Sequence, residues 1–361
     1  MKICLICVEI FAWGKFGGFG KQTRTIGREL ARRGHEVYAV VPRRRGQRPE
    51  EMLDGIRVLG FSPRAPWSAK DLLRDVDADI YHSCEPSLAT WLAWRARPQR
   101  KHMVTVLDPR DFRDWGTELL YPSYSRPQVV ANWIYENNPL VRRCVRRVDA
   151  VFSMARFLAP KIRTMYGLAS DPPFLPTPVE VPATVRKAET PTVCYAARLD
   201  RRKRPELFFE LAARFPDVRF VVMGKSRDAG YEATLRRRSE GLSNLEWMGF
   251  VDLFGSGEHS RVLGESWVMV NCAAREGLPN AFLEAAAHRC AILSHVDPDG
   301  FASRFGYHAG EDDFDKGLAW LLEGGRWRAL GEAGHAHVLE TFELGRAVDA
   351  HEAAYRALLG R

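Results

Sequence analysis

The chain has 361 residues, 46% of them hydrophobic and 27% charged, the composition of a soluble globular protein long enough for two full cores. No apolar run reaches the length of a membrane span, and Met1-Lys2-Ile3-Cys4-Leu5-Ile6-Cys7-Val8 is too short for the core of a secretory signal. The formal charge of +8 is uneven: residues 1–182 carry 29 Lys and Arg against 19 Asp and Glu, and residues 183–361 carry 24 against 26. An excess on the first half suits an anionic partner such as a membrane surface, a lipid phosphate or an acidic glycan. Nucleic acid is the rival, and solubility the bland alternative. The seven cysteines are scattered. Cys4 and Cys7 fit an inner strand better than a metal or redox pair, and no second Cys-x-x-Cys or Cys/His cluster completes a zinc site, so a reducing cytoplasm is expected.

Residues 2–8 are an apolar run, as expected of a parallel strand covered on both faces. Gly14, Gly17, Gly18 and Gly20 follow, then a predicted helix through about Arg33 closed by Gly34, then a strand over residues 35–41. This strand, Gly-rich loop, helix and strand open a Rossmann-like domain; the loop alone is a weak signal, and its place after the first strand strengthens it. Arg43-Arg44-Arg45 with Arg48 is either a solvated loop or a contact for membrane or substrate. Residues 79–82 end a further strand and Glu85-Pro86-Ser87 begins a helix; His82 either lines a cleft or is a packed loop histidine. Residues 103–107 are a strand that runs into Asp108-Pro109-Arg110-Asp111-Phe112-Arg113-Asp114. Polar residues just past the carboxyl end of a parallel strand are placed to meet a ligand. Asp111, then Asp108, are therefore candidates for an acid/base or a polar clamp, with a plain loop cap as the alternative. Residues 132–147 are predicted helical with a basic face of Arg142, Arg143, Arg146 and Arg147. Residues 149–153 are a strand, 172–178 are rigid and extended, and 179–191 read as a linker.

A second nucleotide-type domain starts with a strand over 192–196. Arg198-Leu199-Asp200-Arg201-Arg202-Lys203-Arg204-Pro205 follows and leads into a helix from Glu206. Two cations flanking a strand-to-helix turn offer a bidentate and a point-charge partner for phosphates; a basic solvated turn is the alternative. Residues 219–225, with Gly224, form a strand and tight turn, and residues 268–271 lead into Arg275-Glu276-Gly277-Leu278-Pro279-Asn280-Ala281-Phe282-Leu283-Glu284-Ala285-Ala286-Ala287. Pro279 suits the first helical position, so the N–H groups of Asn280, Ala281 and Phe282 would form a donor-rich end fit for a phosphate. Glu276 precedes that end, and Glu284 lies one turn beyond Asn280 on about the same face. A carboxylate accepts two hydrogen bonds and matches a vicinal diol, so this helix end fits the diol–diphosphate–diol pattern of a nucleotide sugar. The plain alternative is a pair of acids complementing the helix dipole. Asp297-Pro298-Asp299 has the spacing of a metal motif, but it comes too late in the chain, after a second Rossmann-like unit, to serve as one. Residues 320–359 are predicted helical.

The 275–287 stretch resembles the E-x7-E motif of retaining GT-B glycosyltransferases, and EGLPNAFLEAAA is close to the commonest form in family 4, the glycosyl transferases group 1. Other stretches fit in the expected order. GGFGKQTRTIGRELARRGHEVYAVVP resembles the family's first unit. Residues 79–87 resemble its paired-histidine segment, with Cys84 at the second position. Asp108 to Asp111 resembles a subset with Arg-Asp after an Asp. Residues 172–178 resemble its Pro-Asn-Pro segment, with Thr177 for Asn. Arg198 to Lys203 resembles its G-R-x5-K loop, with Ala197 for Gly, and residues 244–251 its base-contacting segment. The resemblance implies an α/β GT-B fold of two Rossmann-like domains facing across a cleft: an acceptor-side domain over 1–182, a donor domain over 183–340, and a helix over 341–361 crossing back. It implies that Gly17 and Gly18 admit the donor diphosphate, that Arg198 and Lys203 pair with it, and that Glu284 holds the ribose and Glu276 the sugar. Gly224, Phe250, Gly277, Leu278, Pro279, Asn280 and Ala281 would complete the donor site. His82 and Arg110 would stand on the acceptor side with Asp111 and Asp108. No metal and no cofactor beyond the donor are expected. The expected partners are a nucleotide sugar and a glycan or lipid-linked acceptor, with peripheral contact at the anionic inner membrane face. Nucleotide-sugar epimerisation and a non-catalytic homologue are the nearer rivals. Nucleic acid is disfavoured, because no helix-turn-helix, RRM or zinc pattern occurs and no aromatics interleave the basic runs.

Overall fold

The computed structural model describes residues 1–10, 17–44, 46–122, 125–252, 254–255 and 257–360, so Gly14 and Arg45 lie outside the described residues. The chain divides into two compact units: Met1–Gly116 with Pro127–Pro178 and Leu344–Arg361, and Thr117–Arg126 with Val179–Glu343.

The first unit is built on β1 (Lys2–Cys7), β2 (Glu36–Pro42), β3 (Glu50–Leu53), β4 (Ile56–Phe61), β5 (Ile80–Cys84), β6 (Lys101–Val106) and β7 (Ala150–Ser153). They form one sheet in the order β3-β4-β2-β1-β5-β6-β7, parallel throughout except for the β3–β4 hairpin. Ile3 to Cys7 are buried, as an inner strand with helices on both faces requires. The hairpin was not anticipated. Its two turn residues, Asp54 and Gly55, have φ of 51° and 82°, the left-handed pair that a two-residue hairpin turn needs. The order reverses between β1 and β5, so the crevice beyond their carboxyl ends is the topological switch point of this unit.

Helix Leu344–Leu358 is stitched into the first unit. Arg33 binds Asp349, Glu352 and the Gly345 carbonyl, and His35 Nε2 lies 2.5 Å from Glu352 Oε1. Deeper in, Tyr355 Oη lies 2.8 Å from His82 Nδ1, and His351 Nε2 meets the Pro176 carbonyl.

The second unit is a six-stranded, wholly parallel sheet of β8 (Thr192–Ala196), β9 (Arg219–Met223), β10 (Leu245–Gly249), β11 (Val268–Asn271), β12 (Ala291–Ser294) and β13 (Gly306–His308). Its order is β10-β9-β8-β11-β12-β13, which puts the switch point between β8 and β11. Tyr195, Phe208, Phe209 and Phe220 fill one face of its core. The expected linker is not loose: Lys187 Nζ meets the carbonyls of Leu263 and Ser266, and the Trp267 indole N–H donates to the Ala188 carbonyl.

Two predicted helices are divided. Residues 132–147 belong to helices Arg126–Glu136 and Pro139–Val145, because Asn138 caps the second through Leu140 and Val141 N–H and Pro139 cannot continue the first. Residues 320–359 fall in helices Phe314–Leu322, Arg326–Thr341 and Leu344–Leu358; Gly324 and Gly325, both at positive φ, make the first break. All seven cysteines are buried and unpaired. Among the described residues, no helix is long and apolar enough to cross a membrane.

Candidate active site

The second unit gathers its polar groups at the β8/β11 switch point. The chain leaves β8 into the turn Ala197–Arg204 and leaves β11 into the turn Cys272–Pro279, and the two turns are joined directly. Ala274 N–H donates to the Arg202 carbonyl at 3.0 Å. Arg204, at φ 46°, grips the Cys272 carbonyl at 2.6 Å and chelates Asp312 at 2.7 and 2.9 Å. Asp200 shapes the first turn by accepting the Lys203 N–H on its carbonyl and on Oδ1. Lys203 Nζ then makes an ion pair with Glu276, both side chains largely shielded from water. Arg198 Nη2 lies 3.4 Å from Asp200 Oδ2. Residues far apart in sequence thus place two cations and a carboxylate on adjoining turns.

Helix Asn280–Ala287 follows the second turn. Pro279 is its cap, with φ −66° and ψ 129°, and not its first helical residue as expected. The Phe282 N–H already bonds the Pro279 carbonyl at 3.0 Å, so one of the three expected donors is taken up within the helix end itself. Leu278 is buried and anchors the turn, Gly277 lies beside it, and Phe250 stands half-exposed after β10. Glu284 is buried with its Oε2 3.2 Å from His259 Nε2. Ser260 Oγ is bonded to His288 Nε2 at 2.6 Å, so helix Glu258–Glu265 buttresses the Glu284 helix through two polar pairs. His259 was missed: it sits in a turn-rich stretch with no periodicity to mark it. Gly224 has a packing reason. A Cβ there would lie 2.0 Å from the Ala197 carbonyl oxygen, so the β9 turn can cross the β8 exit only without a side chain.

The first unit corrects several expectations. His82 is wholly buried in β5, with Nδ1 on Tyr355 and Nε2 2.7 Å from Thr105 Oγ1; burial, then His351, hold its pKa well below the ordinary range. It is a satisfied core histidine and lines no cleft. Asp111 caps helix Phe112–Leu120: its Oδ1 accepts the N–H groups of Arg113 and Asp114, while Asp114 Oδ2 accepts the Asp111 N–H in return. The Asp114 N–H, then Lys161, hold its carboxyl below the usual range, which does not suit a general acid. Arg110 is drawn inward between Asp108 at 3.3 Å and Glu136 at 3.1 Å, over the Trp115 ring. Asp297, one half of the discarded metal motif, binds the N–H groups of Ala302 and Ser303. Among the described residues, no group of three or more His, Cys, Asp or Glu could hold a metal ion.

Sequence reasoning missed two acids at the switch point of the first unit. Glu85, just beyond β5 at φ 78°, is buried and accepts the N–H groups of Leu107 and Asp108 at 2.6 and 3.0 Å. Burial outweighs those donors and Arg110, and pushes its pKa up to about 8. Helix Leu88–Ala96 starts later than expected, capped by Ser87 with Thr90. Glu9, just beyond β1, is buried with Oε1 accepting the Gly20 N–H at 3.2 Å. A Cβ on Gly17 would lie 2.1 Å from that oxygen. The chain's own carboxylate therefore lies against Gly17 at the start of helix Gly18–Arg32, where the donor diphosphate was expected.

Residues 17–176 match the glycosyl transferase 4-like domain, and residues 190–322 match the glycosyl transferases group 1. No curated protein matches the sequence. Among solved structures, sucrose-phosphate synthase from Thermosynechococcus elongatus is similar with a TM-score of 0.75 at 16% identity, covering 99% of both chains. HepE of Anabaena in complex with UDP-glucose gives 0.69 at 12% identity, over 98% of this chain and 99% of that one. The catalytic domain of starch synthase IV from Arabidopsis thaliana, bound to ADP and acarbose, gives 0.66 at 12% identity, over 99% of both. The two parallel α/β sheets, the paired switch-point turns and these matches agree: the fold is GT-B, and the chain is a glycosyltransferase belonging to the family 4-like, group 1 glycosyltransferases.

Proposed function

We propose that the enzyme moves a hexose from a nucleoside-diphosphate sugar to a glycan or lipid-linked acceptor, with retention of configuration and without a divalent metal. The observation that carries this is the junction of the two turns at the β8/β11 switch point, where Lys203 meets Glu276. Lys203 and Arg198 would take the diphosphate, helped by the N–H groups of Asn280 and Ala281, and Glu284 the ribose diol. Glu276 would turn to the hydroxyls of the donor sugar. The acceptor hydroxyl attacks the anomeric carbon on the face the diphosphate leaves. The new C–O bond forms as the old one breaks, and the hydroxyl proton passes to the departing phosphate oxygen. Charge grows on that phosphate in the transition state, and preorganised cations stabilise it most where water is scarce. HepE with UDP-glucose and starch synthase IV with ADP support a nucleotide donor. The positive excess on residues 1–182 favours an acceptor that is anionic or carried by an anionic membrane.

The test is release of nucleoside diphosphate from a panel of nucleotide sugars, with the anomeric configuration of the transferred sugar read by NMR. Lys203→Ala and Glu284→Gln should each slow turnover at least about tenfold, roughly 1.4 kcal/mol of transition-state stabilisation. Wild-type rates in both variants would remove the site. An inverted product would remove retention alone.

A further inference from the structure

We propose that the outward face of helix Arg126–Glu136, with Phe112 and Leu140 beside it, is a docking surface for an anionic lipid bilayer. This deepens the reading of a membrane-borne acceptor and is independent of the donor assignment. Val130, Trp133 and Ile134 are 41%, 37% and 56% exposed, and Phe112 and Leu140 are 69% and 40% exposed. Val130, Trp133 and Ile134 stand at i, i+3 and i+4, so they form one stripe along the helix. Single exposed apolar residues are ordinary on a protein surface; a stripe at helical spacing that faces water is not. Its neighbours belong to the same unit. Arg142 lies 5.7 Å over the Phe112 ring and bonds Asn137, and exposed Arg143 shares the Leu140 face one turn on.

Charge selects the occupant. Between residues 126 and 148 the sequence holds five arginines and one acid, Glu136. That acid is turned inward onto Arg110 at 3.1 Å and is largely shielded, so the stripe faces out with basic residues near it and no carboxylate of its own helix. An apolar stripe carrying a tryptophan and edged by arginine is the pattern of a helix lying in the headgroup plane of an anionic membrane. Arg146 and Arg147 serve elsewhere. Arg146 holds the Tyr166 carbonyl and Arg147 covers the Trp94 ring, so the expected four-arginine face is narrower than the sequence implied.

The full chain should be sedimented with vesicles of phosphatidylcholine alone or mixed with phosphatidylglycerol. We expect binding to the anionic vesicles that weakens with salt, and little to the neutral ones. Val130→Asp with Ile134→Asp should weaken it roughly tenfold or more, and Arg143→Gln by a smaller factor. All of these residues are exposed, so the variants should keep the wild-type circular dichroism and nucleotide-sugar binding. That separates failure here from failure of the donor site. Equal binding to both vesicles, binding to neither, or variants that bind like wild type would overturn the proposal. So would a concentration-dependent dimer that Ile134→Asp dissolves without lipid, since a second copy would then be the occupant.

Discussion

Replacing Glu85 with Gln should change how the stability of the first unit depends on pH. Glu85 is buried, and its pKa stands at about 8 against an ordinary 4.5. Below pH 4.5 the carboxyl is protonated in both the folded and the unfolded chain. Between 4.5 and about 8 the unfolded chain releases the proton while the folded one keeps it, so the stability this proton supplies is progressively lost as pH rises. At about 1.4 kcal/mol per pH unit, the loss between pH 5 and pH 8 is on the order of 3 kcal/mol. Gln is nearly isosteric with the protonated acid, and its carbonyl can still accept from Leu107 or Asp108. Wild type and variant should therefore be alike at pH 5 and diverge towards pH 8, with the variant the more stable. Hydrogen–deuterium exchange over 101–108 reads this unit by itself, which matters because two units need not unfold together. A difference between the two proteins that stays constant from pH 5 to pH 8 would refute the buried, protonated Glu85.

Gly224→Ala should lower the urea midpoint of the second unit, since its Cβ would lie 2.0 Å from a backbone oxygen that cannot swing aside. The expected cost is about 1–3 kcal/mol, and an unchanged midpoint would contradict the close crossing. Tyr355→Phe leaves His82 Nδ1 without its 2.8 Å partner in a wholly buried site. About 1–3 kcal/mol should be lost, seen as faster exchange in helix Leu344–Leu358. EDTA should leave donor turnover unchanged; activity lost with EDTA and restored by Mn²⁺ would argue for a metal.

Most parallel strands were readable because they are short apolar runs ended by a polar loop, from Ile3–Cys7 to Val268–Asn271; β4, interrupted by Arg57 and Gly60, and the three-residue β13 were not. The β3–β4 hairpin carried a readable Asp54-Gly55 turn but polar strands, Glu50 and Glu51 among them, which hid it. The break at Asn138-Pro139 was likewise readable as a cap residue followed by proline. The Asp111/Asp114 spacing is a capping pair that competes with any catalytic reading of Asp111. Lys203 and Glu276 were singled out separately, and their ion pair follows from two turns leaving neighbouring strands. Glu9, Glu85 and His259 were not legible in that way. Their partners and their shielding from water come from strands and helices distant in sequence, and a lone Glu beside Pro86 looks like any loop acid until the sheet closes over it.

The most direct test of the donor site is calorimetric titration of the wild type and Lys203→Ala with UDP, ADP and their glucose conjugates. The wild type should bind at least one of these nucleotides and Lys203→Ala should bind it at least about tenfold more weakly, the loss of roughly 1.4 kcal/mol expected for one phosphate cation. Binding of equal strength in the two proteins would contradict it and move the diphosphate away from the β8/β11 turns.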